Sequence, residues 1–208
     1  MTAPVVAAAV LDRLALVLID VQRGFDTPEH WGPRNNPDCD ANIAQLLAAW
    51  RARARPVVFV RHDSVEAGSP LRPGQAGNEL KPLLAGRPNL LVTKTVNSAF
   101  HGTPDLDAWL RSEDLAGIVV AGITTNHCCE TTARVGGNLG HHVLFALDAT
   151  HTFDRRGPDG VNVPAETLAR VTAVNLHGEF ATVVHTRQLL AGDDRPYATS
   201  RSAGQPVT

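Results

Sequence analysis

Apolar residues in this chain gather into short unbroken runs separated by mixed segments. Leu14-Ala15-Leu16-Val17-Leu18-Ile19 is closed by Asp20, and comparable runs lie at 56–60, 90–92, 117–120, 142–147 and 181–184. A strand apolar on both faces belongs inside a parallel sheet covered on each side. Between these runs, helical periodicity predicts helices over 43–53, 106–111, 127–139, 165–178 and 187–190, with Asp40 or Asn42 as the cap of the first. Alternating strands and helices predict an α/β fold: a doubly wound, Rossmann-like sheet of about six parallel strands with helices on both faces. One domain accounts for residues 1–208, with its core at about 14–190 and a polar tail at about 193–208 that is expected to fray. Residues 61–77 are rich in Gly, Pro, Ser and charge and read as a long loop, a feature often functional in a compact domain.

In such sheets the ligand site lies beyond the carboxyl ends of the strands. That rule brings Asp20, the group Arg61-His62-Asp63, Lys94 and the turn at 122–128 to one rim. The turn reads Gly122-Ile123-Thr124-Thr125-Asn126-His127-Cys128-Cys129, with Cys128 near the start of the predicted helix. Unsatisfied N–H groups at a helix N-terminus favour the thiolate, the form that attacks carbonyls. Each residue alone has a plainer reading: Cys128 as a small buried hydrophobe, Asp20 as a turn former and Lys94 as a snorkelling strand-end lysine. Together they supply a nucleophile, a carboxylate for proton transfer and an ammonium to hold both charges, with turn amides for an oxyanion. These parts suit acyl transfer to a thiol followed by hydrolysis.

Composition narrows the classes. The chain has 208 residues, 43% of them hydrophobic, enough for a sizeable core. A formal net charge of -2 carries no signal for a nucleic-acid or anionic-membrane partner. Lysine occurs only at Lys81 and Lys94, which singles out an interior lysine at 94. The three cysteines, Cys39, Cys128 and Cys129, do not form a disulfide framework. Residues 1–13 lack a basic leader region, and the run at 14–19 is too short to span a bilayer, so the protein is expected to be cytoplasmic.

Four motifs, in order, carry a family resemblance: Leu16-Val17-Leu18-Ile19-Asp20-Val21-Gln22; Ser69-Pro70-Leu71-Arg72-Pro73-Gly74 with Gly77-Asn78-Glu79-Leu80; Lys94-Thr95-Val96-Asn97-Ser98-Ala99-Phe100-His101-Gly102-Thr103; and Gly122 to Cys128 with Thr132-Ala133-Arg134. From about Leu14 to Val184 the chain resembles the isochorismatase-like cysteine hydrolases, among them nicotinamidases, N-carbamoylsarcosine amidohydrolases and ureidoacrylate amidohydrolases. The resemblance implies a catalytic triad of Asp20, Lys94 and Cys128. It also implies a cis peptide between Ile123 and Thr124, with the amides of Thr124 and Cys128 as the oxyanion hole. It implies a pocket lined by Asn97, Phe100 and the 25–31 loop with Phe25 and Trp31. Gln22 is placed to fix Asp20 or the substrate, and Asn126 and His127 to meet the leaving group, or His127 to cap the helix. Phe153 and Arg155-Arg156 follow the fifth strand as a substrate lid, the arginines otherwise in solvent. Cys129 stands where the family usually has an aliphatic residue and reads as a buried neighbour.

Nicotinamidases carry a metal-binding set after the second strand, and Arg61-His62-Asp63-Ser64 does not match it. No catalytic metal and no cofactor are therefore expected, and His62 reads as a rim hydrogen-bonder or substrate contact. The implied activity is hydrolysis of an amide or ureido C–N bond of a small molecule through a Cys128 thioester. The alternatives are vinyl-ether hydrolysis of the isochorismate type and a non-catalytic small-molecule-binding protein. The resemblance further implies a homodimer or homotetramer.

Overall fold

In the computed structural model, which describes residues 5–191, the apolar runs pair into one six-stranded sheet. Along the chain the principal elements are α1 (Ala8–Leu11), β1 (Leu14–Ile19), α2 (Pro28–Trp31), α3 (Cys39–Ala52), β2 (Val57–His62), β3 (Leu90–Lys94), α4 (Leu106–Ser112), β4 (Gly117–Ile123), α5 (Glu130–Asn138), β5 (His142–His151), β6 (Arg155–Arg156), β7 (Asn162–Val163), α6 (Ala165–Leu176), β8 (Thr182–Val184) and α7 (Thr186–Leu190). The main sheet has the order β3-β2-β1-β4-β5-β8 with every pairing parallel. β6 and β7 form a separate antiparallel hairpin. No helix among the described residues is long and apolar enough to cross a membrane.

The central strand shows why the sheet needs two covers. All six residues of β1 are buried. Leu14, Leu16 and Leu18 enter one core cluster, while Ala15, Val17 and Ile19 enter the other. This is the two-residue period of a strand, and each such leucine contributes about 1.5–3 kcal/mol on burial. α3 lays Ile43, Leu46, Leu47 and Trp50, one helical stripe, onto the first face. Trp50 Nε1 also donates to the Leu14 carbonyl at 3.2 Å. Leu106 and Leu110 of α4 and Ala133 of α5 cover the second face.

Several boundaries differ from the sequence reading. α3 begins at Cys39, and Asp38 precedes it without a side-chain capping bond. Asp40 and Asn42 do not cap it: Asp40 takes Lys81 at 3.0 Å and Asn42 donates to the Asp148 carbonyl at 2.6 Å. β2, β3 and β5 continue past their apolar cores into His62, Lys94 and His151, because the backbone ladder does not depend on side-chain polarity. The predicted helix at 127–139 divides into a π-turn (Thr125–Cys129) and α5. The short helices α1 and α2 and the β6–β7 hairpin have no periodic signal of useful length. The predicted tail at 193–208 lies outside the described residues.

The chain leaves β1 toward β2 and β3, and leaves β4 toward β5 and β8. The switch point, and with it the expected crevice, therefore lies beyond the carboxyl ends of β1 and β4. Gly122 makes that junction close. Its φ is +129°, and a Cβ there would lie 2.0 Å from the Ile19 carbonyl oxygen. Gly122→Ala is expected to lower unfolding stability by roughly 3 kcal/mol, read as a reduced urea midpoint with an unchanged slope.

Candidate active site

Asp20 is the first residue after β1 and adopts a left-handed backbone conformation, φ 51°. Aspartate is one of the few residues that enters that region readily. Its N–H donates to the Val60 carbonyl at 2.9 Å, which ties the turn to β2. Lys94 ends β3, with β2 between it and β1, and its register partner is His62. Its side chain reaches back to the switch point. Lys94 Nζ donates to Asp20 Oδ2 at 2.6 Å and to Cys128 Sγ at 3.3 Å, and lies 3.2 Å from His62 Nδ1. Both side chains of the ion pair are fully sealed from solvent. Three neighbours thus surround the three N–H groups of the ammonium. Asp20 Oδ1 is buried and has no hydrogen-bond partner among the described residues.

Cys128 sits in the π-turn, a rare geometry that recurs at functional sites. The Thr124 carbonyl accepts from the amides of His127 and Cys129 at 3.3 and 3.2 Å, and the Ile123–Thr124 peptide is cis. Burial pushes the Cys128 thiol up, and the Asp20 charge adds to that, together outweighing Lys94. Desolvation beside a carboxylate therefore opposes the pull toward the thiolate that a helix N-terminus exerts. Burial also pulls Lys94 down, yet the Asp20 carboxylate and the hydrogen bonds to Asp20 and Cys128 hold it above its ordinary range. His62 is pushed down by burial and by Lys94.

Asp20, His62 and Cys128 offer ligand atoms within 4.8 Å of one another. Carboxylate, imidazole and thiolate are types that a thiophilic divalent ion accepts. The Lys94 ammonium contacts all three residues, so the positive charge among them is already a side chain of this protein.

A cavity of about 360 Å³ opens over this group. Phe25, Trp31 and Phe153 form its aromatic wall: Trp31 lies 4.9 Å from Phe25 and 5.4 Å from Phe153 between ring centroids. Trp31 Nε1 is anchored on the Gly24 carbonyl at 2.8 Å.

The isochorismatase domain model matches residues 14–174. The chain belongs to the isochorismatase family of hydrolases. It is 36% identical over 180 residues to the uncharacterized isochorismatase family protein YrdC of Bacillus subtilis, covering 86% of this chain and 95% of that protein. It is 29% identical over 203 residues to the ureidoacrylate amidohydrolase RutB of Methylobacterium radiotolerans, covering 81% and 74%. A crystal structure of an isochorismatase-family protein from Chromobacterium violaceum superposes with a TM-score of 0.84 at 41% identity, covering 92% of this chain and 98% of that one.

In this isochorismatase-family site, Asp20, Phe25, Trp31, His62, Asn97, Thr124, His127, Cys128 and Phe153 all border the cavity. Three residues proposed for substrate contact lie elsewhere. Gln22 is fully buried: it donates to the carbonyls of His62 and Asn78 at 3.0 and 2.9 Å and accepts from the His62 amide at 2.8 Å, so it clamps the end of β2. Phe100 stacks on His141 at 5.5 Å. Asn126 accepts from the Thr152 hydroxyl at 2.5 Å. Arg155 borders the cavity, and Arg156 is exposed outside it. Ser64, Glu66, Ser69 and Leu71 also border it. The length and composition of the 61–77 loop were their signal, which marks a segment but not a residue. Cys129 is fully buried in the second core cluster, as read from the sequence.

His151 stands edge-on behind Phe153, with ring centroids 5.2 Å apart. It is fully buried, neither ring nitrogen has a partner among the described residues, and burial pushes its pKa down to about 3. The unfolded chain takes up this proton below the ordinary 6.5 and the folded chain only near 3. The contribution is thus intact above pH 6.5 and is lost as pH falls through that window. Stability is expected to fall by up to about 1.4 kcal/mol per pH unit from this group, and His151→Leu should flatten the acid limb of denaturant midpoints against pH. For Cys128, the difference in thiolate ultraviolet absorbance between the parent and Cys128→Ala should be absent near neutral pH and appear only above the ordinary thiol value of 9.0.

Proposed function

We propose that this protein is a cysteine-dependent amidohydrolase that cleaves an amide or ureido C–N bond of a small molecule through a thioester at Cys128. The observation that carries this reading is the contact of one sealed ammonium with both Asp20 and Cys128 at the floor of the cavity. The likeness to a ureidoacrylate amidohydrolase agrees with it.

The chemistry follows from the groups. Asp20 Oδ1, which has no other partner among the described residues, accepts the Cys128 proton. The sulfur attacks the carbonyl carbon, and the oxyanion is held by the amides of Thr124 and Cys128. Asp20 returns the proton to the departing nitrogen, the C–N bond breaks, and ammonia or an amine leaves the thioester behind. Water then gives its proton to Asp20 and attacks the thioester, the C–S bond breaks to release the acid, and Asp20 returns that proton to the Cys128 sulfur. Lys94 remains charged throughout, because its neighbours hold its proton above the neutral range.

The test is ammonia release from a panel of nicotinamide, N-carbamoylsarcosine, ureidoacrylate, maleamate and a cyclic lactam. The parent is expected to hydrolyse at least one, Cys128→Ala to lose roughly 10⁴-fold or more in kcat, and Cys129→Ala to stay active. Full activity in Cys128→Ala would sink the mechanism.

A further inference from the structure

Lysine has three N–H groups and no acceptor. Lys94 Nζ lies 3.2 Å from His62 Nδ1, so that nitrogen must offer its lone pair and the ring proton must sit on Nε2. The backbone that carries the ring is pinned. Its residue's carbonyl accepts from Gln22 Nε2 at 3.0 Å and Asn78 Nδ2 at 3.1 Å, while its amide donates to Gln22 Oε1 at 2.8 Å. His62 itself borders the cavity. Nε2 has no hydrogen-bond partner among the described residues and is not among the atoms sealed from solvent.

We infer that His62 is locked by Lys94 as the Nε2–H tautomer, so that the cavity meets a neutral imidazole donor that takes a hydrogen-bond acceptor of the substrate beside the scissile carbonyl. The charged groups around it are Lys94, Asp20, Asp63 and Glu66. Asp63 is already engaged by Arg61 at 2.8 and 3.0 Å and by Asn78 at 3.0 Å, and burial together with Lys94 outweighs the acids and keeps the ring neutral. Two consequences separate this role from the usual ones for histidine. With Nδ1 occupied and Nε2 protonated, His62 cannot take the proton of Cys128 or of water, so Asp20 alone is the base. The preferred substrate carries a carbonyl or carboxylate oxygen, or a ring nitrogen, next to the amide, and not an ammonium.

The first measurement is made on the free enzyme with isotope-labelled histidine. Proton–nitrogen correlation spectra, assigned by comparison with His62→Gln, should show the Nε2–H tautomer across neutral pH. An Nδ1–H tautomer or an imidazolium would overturn the assignment. The second measurement rests on the amidohydrolase reading and uses the panel amide that the parent hydrolyses. His62→Asn keeps an acceptor for Lys94 and lacks the distal donor, so KM should rise about tenfold with little loss in kcat and no change in its pH profile. His62→Gln, which restores a distal N–H, should recover most of that KM. Loss of kcat with a displaced pH profile in both variants would assign His62 to proton transfer and overturn the proposal. Silence of the parent on every amide would fail the hydrolase reading alone, and the spectra would still decide the tautomer.

Discussion

The Lys94 ammonium, sealed from water with the Asp20 carboxylate at 2.6 Å, is the contact on which the whole rim depends. Desolvating each ion costs several kcal/mol, and that is offset only where the pair is close and the remaining protons are bonded. Here the second and third N–H groups have Cys128 Sγ and His62 Nδ1 in reach. The pair also joins parts distant in sequence: the end of β3, the turn after β1, and the turn after β4, across an intervening strand. A neutral residue at 94 would leave a buried carboxylate alone, the situation that destabilises by about 3–5 kcal/mol. The acid therefore holds its place structurally by the same bond that readies it chemically.

The second lysine repeats this arrangement on the far side of the aromatic wall. Lys81 is nearly sealed and donates to Asp26 at 2.6 Å and to Asp40 at 3.0 Å. Asp26 adjoins Phe25, so this bond secures the segment that carries Phe25 and Trp31. Asn35 and Thr152 bond reciprocally at 3.1 and 2.8 Å, which fastens the same segment to the end of β5 beside Phe153. Asp154 accepts from the Ala165 amide at 2.8 Å and so anchors α6 beneath the hairpin that bears Arg155. The cavity wall is built from loops, and Lys81, Asn35 and Thr152, which pin them, are buried or partly buried. Such pinning keeps a binding site pre-organised.

Much of this was legible in the chain. The unbroken run from Leu14 to Ile19 announced a strand buried on both faces, because a period-two pattern with no polar face leaves no side for water. Asp20 and Lys94 stood out because each lies at or just past the end of such a run, and Cys128 because it follows the end of the fourth. The isochorismatase motifs then supplied roles for them. Gln22, Phe100 and Asn126 were misplaced for one common reason: a motif position fixes the backbone location of a side chain, whereas its direction depends on which neighbour offers the better bond. The His62 backbone took Gln22, the His141 ring took Phe100, and the Thr152 hydroxyl took Asn126.

The pattern of residues already contains the sheet, its doubly wound character and the three residues brought to its switch point, since burial of apolar runs and the direction of parallel strands are properties of that pattern. Only the packed chain sets the raised thiol of Cys128, the isolation of His151 among the described residues, the proton position on His62 and the cavity residues of the 63–77 loop. Those properties depend on desolvation and on distances of a few ångströms between groups far apart in the chain, and no spacing along a sequence encodes them.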